Sequence, residues 1–326
     1  GLLEQLLGQR GIRLQLIVAD GGSRDDTQAL AQRLGATLAQ TPPGRGGQMN
    51  RGAALATADW LLFLHADSRL TSTEQLADAI TALQGARQQL GHARVAGHFR
   101  LRFQRTHVRN DLAYRYYEEK SALNRPECTN GDQGMLLSRR FFHQLGGFDE
   151  TLWFLEDQRL AETIRRQGSW ITLPGELMTS ARRFEQEGLG RRMVLSALIM
   201  NFHAMGLHAF FQRADSIYRS QDKTQRLQLR PIFQLIDELN REAGPAVSRQ
   251  RWLATGRYVF SHAWQPAFFL DVFLQYRLGV GRRLFLPLHD WLFRPLRDLR
   301  LLHSITAGLT WLWYVSYRWL LDHRAD

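Results

Sequence analysis

The sequence predicts an α/β fold, in which a sheet is covered by helices, followed by a mostly α-helical C-terminal region. Over residues 1–180 short apolar runs alternate with helix-period patterns, which is how a sheet layered with helices reads. Beyond about Phe184 strand signals cease and long, aromatic-rich helical segments take over. A chain of 326 residues with 44% hydrophobic content has apolar side chains enough for one large or two modest cores. The change of pattern divides the chain into residues 1–185 and 186–326.

Taken in order, strands are expected at residues 14–19, 36–39, 60–64, 95–103 and 134–137, each a short apolar run. Between them the helical period predicts helices at 25–34, 46–56, 73–83, 108–120 and 157–167. Asp25 and Thr73 are placed to start two of these, because their side-chain oxygens can accept the backbone N–H groups that a first helical turn leaves without partners. In the C-terminal half helices are expected at 190–205, 231–242, 249–260, 267–278 and 304–321, with GPAV at 244–247 as a loop.

The net charge of +11 is carried almost wholly by arginine, with lysine only at positions 120 and 223. Such an excess favours anionic partners, whether nucleotides, phospholipid surfaces or nucleic acid. Nucleic acid has the charge in its favour but no recognisable reading motif, so it is not the expected partner. The single cysteine, Cys128, excludes an internal disulfide and a zinc cluster built on paired cysteines, and fits a reducing compartment. The opening GLLEQLLGQRG lacks the basic, apolar and small-residue order of a signal peptide.

The chemistry concentrates at 44–70, where the apolar run Trp60 to Leu64 ends abruptly on His65 and Asp67. Ligands of open parallel sheets bind outside the carboxyl ends of the strands, so this short polar cluster is positioned for chemistry and could hold a metal. His65 taken alone is equally an ordinary strand-end histidine. Upstream, VADGGSRDDT (18–27) puts Asp20 at a strand end and continues with Gly21, Gly22 and Ser23 before a helix. Glycines let a ligand approach the backbone and a helix N-terminus favours an anion, although an ordinary strand-to-helix turn looks the same.

Together with GRGGQMNRGAALATADWLLFLHAD (44–67), NGDQGMLLSRRFFHQLGGFDE (130–150) and FLEDQRLAETIRRQG (154–168), this turn resembles the family 2 glycosyltransferases of the GT-A fold, whose sheet is a Rossmann-like nucleotide-binding one. The blocks are most similar to the bacterial radical-SAM/selenodomain-associated subgroup. The resemblance implies transfer of a hexosyl group from a nucleotide diphosphate sugar, usually with inversion, to a hydroxyl or lipid-linked acceptor. It places Asp20, with Gly22 and Ser23, in the nucleobase-binding turn, and Arg45, Gln48 and Asn50 beside the nucleotide. It makes Asp67 the stronger ligand of a Mg²⁺ or Mn²⁺ ion, with His65 standing where the family usually has a second aspartate. Asp157 becomes the base and Glu156 its partner, Asp132 and Gln133 line the sugar and acceptor side, and Arg182 and Arg183 come after the last core strand as a diphosphate clamp. The Glu-Asp pair would also suit a helix N-terminus for its dipole alone, and the arginine pair a solvated turn.

The family's usual first strand is not seen, and residues 1–9 read as the end of the helix that comes after it, so the chain is expected to be truncated or its start misplaced. Without that strand its neighbours would lack a hydrogen-bond partner, and a protein beginning at Gly1 is expected to be poorly stable or inactive.

The segment 305–321, ITAGLTWLWYVSYRWLL, is flanked by Arg300 and Arg324 and interrupted by Arg318. Seventeen residues sit at the lower edge of a bilayer span, and tryptophan, tyrosine and arginine together suit the headgroup region, so three placements are open: spanning, lying at an anionic membrane surface, or packing on the catalytic domain. The expected location is cytoplasmic, peripheral at the inner face of the cell membrane. Two other functions stay in view: a catalytically silent binding module, and a nucleotidyltransferase, which the absence of a glycine-rich first-strand signature disfavours.

Overall fold

Among the described residues, two β-sheets organise residues 1–181 and helices alone organise those that follow. In this computed structural model every residue is described except Asn130, Trp153, residues 220–225 and 324–326, so Lys223 and Arg324 lie outside the described residues. The α/β part contains α1 (Leu2–Leu7), β1 (Ile17–Asp20), α2 (Thr27–Arg33), β2 (Thr37–Gln40), α3 (Arg45–Ala54), β3 (Trp60–Phe63), β4 (Arg69–Leu70) and α4 (Gln75–Leu90). It continues through β5 (Val95–Gln104), α5 (Asp111–Ser121), β6 (Met135–Ser138), α6 (Arg139–Leu145), α7 (Glu156–Gln167) and β7 (Ser169–Ser180). The helical part contains α8 (Arg182–Glu187), α9 (Leu189–Ala204), α10 (His208–Arg219), α11 (Arg230–Ser261), α12 (Trp264–Leu278), α13 (Phe285–Phe293) and α14 (Arg300–His323). The chain divides into two compact units at Ala181/Arg182.

The expected α/β class with a helical region after it is what the structure has. β1 and β2 pair in parallel, and a separate mixed sheet runs in the order β3-β6-β5-β7-β4, so among the described residues β1 and β3 each pair with a strand on one side only. Period-two alternation splits the larger sheet's side chains between two cores. Leu61, Met135, Leu137 and Trp170 pack with Phe141, Phe142, Phe148 and Leu160 on one face, while Leu136, Leu173 and Leu177 pack with Leu76, Ala79 and Leu83 of α4 on the other. Each such fully buried side chain contributes about 1.5–3 kcal/mol.

The five expected strands appear within a few residues of their expected bounds, but β7, the longest, was not among them. Its sequence SWITLPGELMTS carries Pro174 and Gly175, and the register with β5 slips between Phe99 and Arg100, where two extra residues bulge out with Gly175 at φ 86°. The bulge breaks the alternation on which a strand is recognised. Helix starts also differ: Asp25 accepts the Thr27 N–H at 3.1 Å, but Thr73 gives its hydroxyl to Glu74 and caps nothing.

In the second unit α11 spans both expected helices. Gly244 (φ 78°) and Pro245 bend it where the loop was expected, because proline lacks the donor and glycine supplies the left-handed turn. α14 packs along α11, and a Cβ on Gly256 would lie 2.3 Å from the His303 carbonyl oxygen, so the two backbones approach closely at this glycine. Tyr314 donates its hydroxyl to Asp237 at 2.8 Å, and Arg318, which interrupts the apolar run, pairs with the same carboxylate at 2.6 Å. No described helix is long and apolar enough to cross a membrane.

Candidate active site

β3 and β6 are antiparallel with Phe63 opposite Met135, so the residues leaving β3 meet the turn that enters β6. That register brings His65 to Asp132, which sits in the tight turn Gly131–Gln133, with Nδ1 and Oδ1 3.0 Å apart. Burial would depress the His65 imidazolium, but the hydrogen bond and charge of Asp132 more than offset it and hold the pKa above its ordinary value. Ser68 N–H donates to the His65 carbonyl at 3.0 Å, closing the turn that carries Asp67. Asp67 is exposed and, among the described residues, accepts no hydrogen bond from the protein.

Asp157 reaches the same place from α7. Leu155 caps this helix with φ 65°, a left-handed conformation that side chains avoid, and so concentrates backbone strain immediately before Glu156 and Asp157. A Cβ on Gly131 would lie 2.2 Å from Asp157 Oδ2, so only glycine lets this carboxylate stand beside Asp132. Asp157 Oδ1 accepts the Gln158 N–H at 2.7 Å. Glu156 is 1% exposed and lies beneath the site rather than on it, with Oε2 lacking any hydrogen-bond partner. Burial first, and then the neighbouring Asp157 charge, push its carboxyl up. Arg45, exposed at the start of α3, is close enough for its charge to act on both His65 and Glu156.

The other expected residues have partners of their own or stand exposed. Asp20 accepts N–H groups of Gly22 at 3.2 Å and Ser23 at 3.1 Å, the Ser23 hydroxyl, and the Gln28 amide at 2.6 Å, and the Ser23 hydroxyl foremost holds its carboxyl below the usual range. Gln48 donates to the Ala19 carbonyl at 3.1 Å and lies over Gly21, tying α3 to the end of β1. Asn50 donates to the Phe148 carbonyl at 2.9 Å and Glu150 at 2.7 Å and accepts the Phe148 N–H at 2.8 Å, which locks α3 to the GGFDE turn. Gln133 is fully buried and donates to the Ser121 carbonyl at 2.8 Å. Arg182 and Arg183 are exposed and open α8 in the second unit.

One contributor was not singled out in the sequence: Arg165, which pins the loop before Gly131 through Asn124 at 2.9 Å and Thr129 at 3.1 Å. Among the described residues no group of three or more His, Cys, Asp or Glu side chains is gathered to hold a metal by itself. Asp67, an exposed carboxylate on the turn after β3, is the donor there that fits a Mg²⁺ or Mn²⁺ ion, which takes one or two carboxylates and completes its shell with phosphate oxygens and water.

Residues 1–146 match the family described as Glycosyl transferase family 2. That stretch, a little under half of the chain, is similar to family 2 glycosyltransferases. The chain's α/β unit with helices after it is the arrangement expected of the GT-A type. The chain is 40% identical over 70 residues to a PGL/p-HBAD biosynthesis glycosyltransferase of Mycobacterium bovis (strain BCG / Pasteur 1173P2), covering 19% of this chain and 27% of that protein. It is likewise 40% identical over 77 residues to an uncharacterized glycosyltransferase of Mycobacterium tuberculosis, covering 22% and 29%. The matched stretch thus spans less than a third of these curated relatives. Similar solved structures include the mannosyltransferase PcManGT from Pyrobaculum calidifontis in complex with GDP-Man and Mn²⁺ (17% identity, TM-score 0.44, 95% of this chain and 82% of that one). Another is S. aureus TarS 1–349 in complex with UDP (16% identity, TM-score 0.46, 85% and 87%).

Proposed function

We propose that the glycosyltransferase domain moves a hexosyl group from a nucleotide diphosphate sugar to a hydroxyl acceptor with inversion, Asp157 acting as base. The observation that carries this reading is the Asp157 carboxylate held against Gly131, beside the His65–Asp132 pair, at the carboxyl end of β3. Inversion needs a carboxylate across the sugar from the leaving group. Asp157 Oδ1 is occupied by the Gln158 N–H, which leaves Oδ2 to take the acceptor proton. As the acceptor oxygen bonds to the anomeric carbon, the bond from that carbon to the diphosphate oxygen breaks and its electron pair leaves with the nucleoside diphosphate. His65 fixes the Asp132 carboxylate where it can accept donor-sugar hydroxyls, and Arg45 supplies positive charge to the diphosphate. A divalent ion held by Asp67 would neutralise charge on the leaving group. Within the family, the motifs favour the bacterial radical-SAM/selenodomain-associated subgroup.

Release of nucleoside diphosphate from UDP-, GDP- and TDP-sugars, with and without Mn²⁺ or Mg²⁺, tests the reading. Metal-dependent release that falls in both Asp67→Ala and Asp157→Asn supports it; release indifferent to both substitutions overturns it. No release from any donor by a folded protein would favour the silent binding module.

A second observation bears on the acceptor. Large apolar side chains are exposed together on the last helices, with Trp291 at 75%, Leu301 at 71% and Trp311, Leu312 and Trp319 at half or more, among Arg282, Arg283, Arg294, Arg297 and Arg300. Such a face suits the headgroup layer of an anionic membrane, and we propose a peripheral position at the inner face of the cell membrane, which would favour a lipid-linked acceptor.

A further inference from the structure

A separate cleft lies at the start of β3. It encloses about 520 Å³ and is lined by Asp59, Trp60, Gln84, Arg87, Ser138, Arg139, Arg140 and His143. Trp60 and His65 stand five residues apart along an extended chain, which separates this cleft from the candidate active site by roughly 15 Å. Three arginines face one carboxylate, and Asp59 forms no ion pair with any of them.

Arg87 is the telling residue. Its guanidinium lies 4.2 Å over the Trp60 ring, which fixes its plane, and both Nε and Nη2 are buried without a hydrogen-bond acceptor. Burial depresses its pKa, as it does for a charge drawn partly out of water. Arg139 spends Nε on the Ala58 carbonyl at 2.9 Å, which anchors its side chain at the cleft. Planar guanidinium groups held in this way match the paired oxygens of a phosphate.

We propose that this cleft is an oxyanion site for a phosphate group, distinct from the nucleotide-sugar site and independent of its chemistry. A phosphate monoester or free phosphate, and the headgroup of an acidic phospholipid, present the same chemistry. Calorimetric titration of the full chain at constant ionic strength with inorganic phosphate, and separately with short-chain phosphatidic acid below its micelle concentration, distinguishes the sources. The site predicts saturable binding of at least one of these probes that survives Arg45→Gln and weakens at least tenfold in Arg87→Gln. Arg87→Gln also removes the stacking on Trp60, so the double substitution Arg139→Gln/Arg140→Gln, on side chains nearer the surface, serves as the second variant and should weaken the same binding comparably. Binding of phosphate identifies a soluble ligand, and binding of phosphatidic acid alone identifies a lipid headgroup. Absence of binding by both probes, or binding unchanged in the double variant, overturns the proposal.

Discussion

Asp157 and Glu156 are adjacent, yet their surroundings set them different tasks. Asp157→Asn keeps the shape and removes the proposed base, so turnover should fall by roughly 10²- to 10⁴-fold with melting unchanged. Glu156→Gln replaces a buried, partly unpartnered carboxyl with a neutral isostere and should leave the fold intact, as thermal melts of the two variants would show. Gly131→Ala drives a methyl into Asp157 and should cost activity as the base substitution does, although alanine carries no chemistry of its own. Away from the site, His98 is fully buried between Trp170, whose indole donates to Nδ1, and the Ser121 carbonyl, which accepts from Nε2 at 3.1 Å. A proton on Nδ1 would break the Trp170 bond, and burial holds the pKa down at about 4. The unfolded chain takes up this proton near pH 6.5 and the folded chain only near 4, so stability is full above pH 6.5 and falls as pH drops through that window. The loss is about 3 kcal/mol by pH 4, and denaturant titrations across pH should lose most of this slope in His98→Gln.

At the scale of elements, the glycine-rich stretch after Gly44 is a packing surface as much as a binding loop. Gly46 lies against the Asp149 carbonyl, where a Cβ would come within 3.0 Å, and Asn50 closes the contact with three hydrogen bonds. Asn50→Ala should destabilise the domain by about 1–3 kcal/mol in denaturant melts, because it leaves the Phe148 backbone groups without partners. The second unit has a counterpart in Asp271, buried, which accepts the N–H groups of Leu284, Phe285 and Leu286 at 2.7–2.8 Å and so fixes the start of α13. Elements with an uninterrupted period were legible in advance: β3, β5, α7 and α9. β7 was not, because its bulge at Pro174 and Gly175 hides the alternation, and the short α6 was not among the expected helices.

For the whole molecule, an arginine-borne charge of +11 and the exposed tryptophans of the last helices both suit the anionic membrane surface proposed above. Sedimentation with anionic vesicles should be strong at low salt, fall as the Debye length shrinks below about 10 Å above 0.1 M salt, and be weak on neutral vesicles. Equal binding to neutral vesicles would assign the interaction to the apolar face alone. Arg318 does not contribute to this surface in the way its position in the apolar run implied, since Asp237 holds it.

The sequence by itself determined the α/β-then-helical layout, because hydrophobic period is a local property, and its motifs named candidate residues for a site. It could not distinguish those that face the site from those that brace it. Asp20, Gln48, Asn50 and Gln133 belong to the same motifs as Arg45, His65 and Asp157, yet their side chains are taken up by neighbours far along the chain or by their own turn. Only tertiary structure decided that division, since hydrogen bonds between residues far apart in the chain leave no trace in local pattern. The antiparallel register of β3 with β6 brought His65 to Asp132, and a missing Cβ at Gly131 admitted Asp157 beside them.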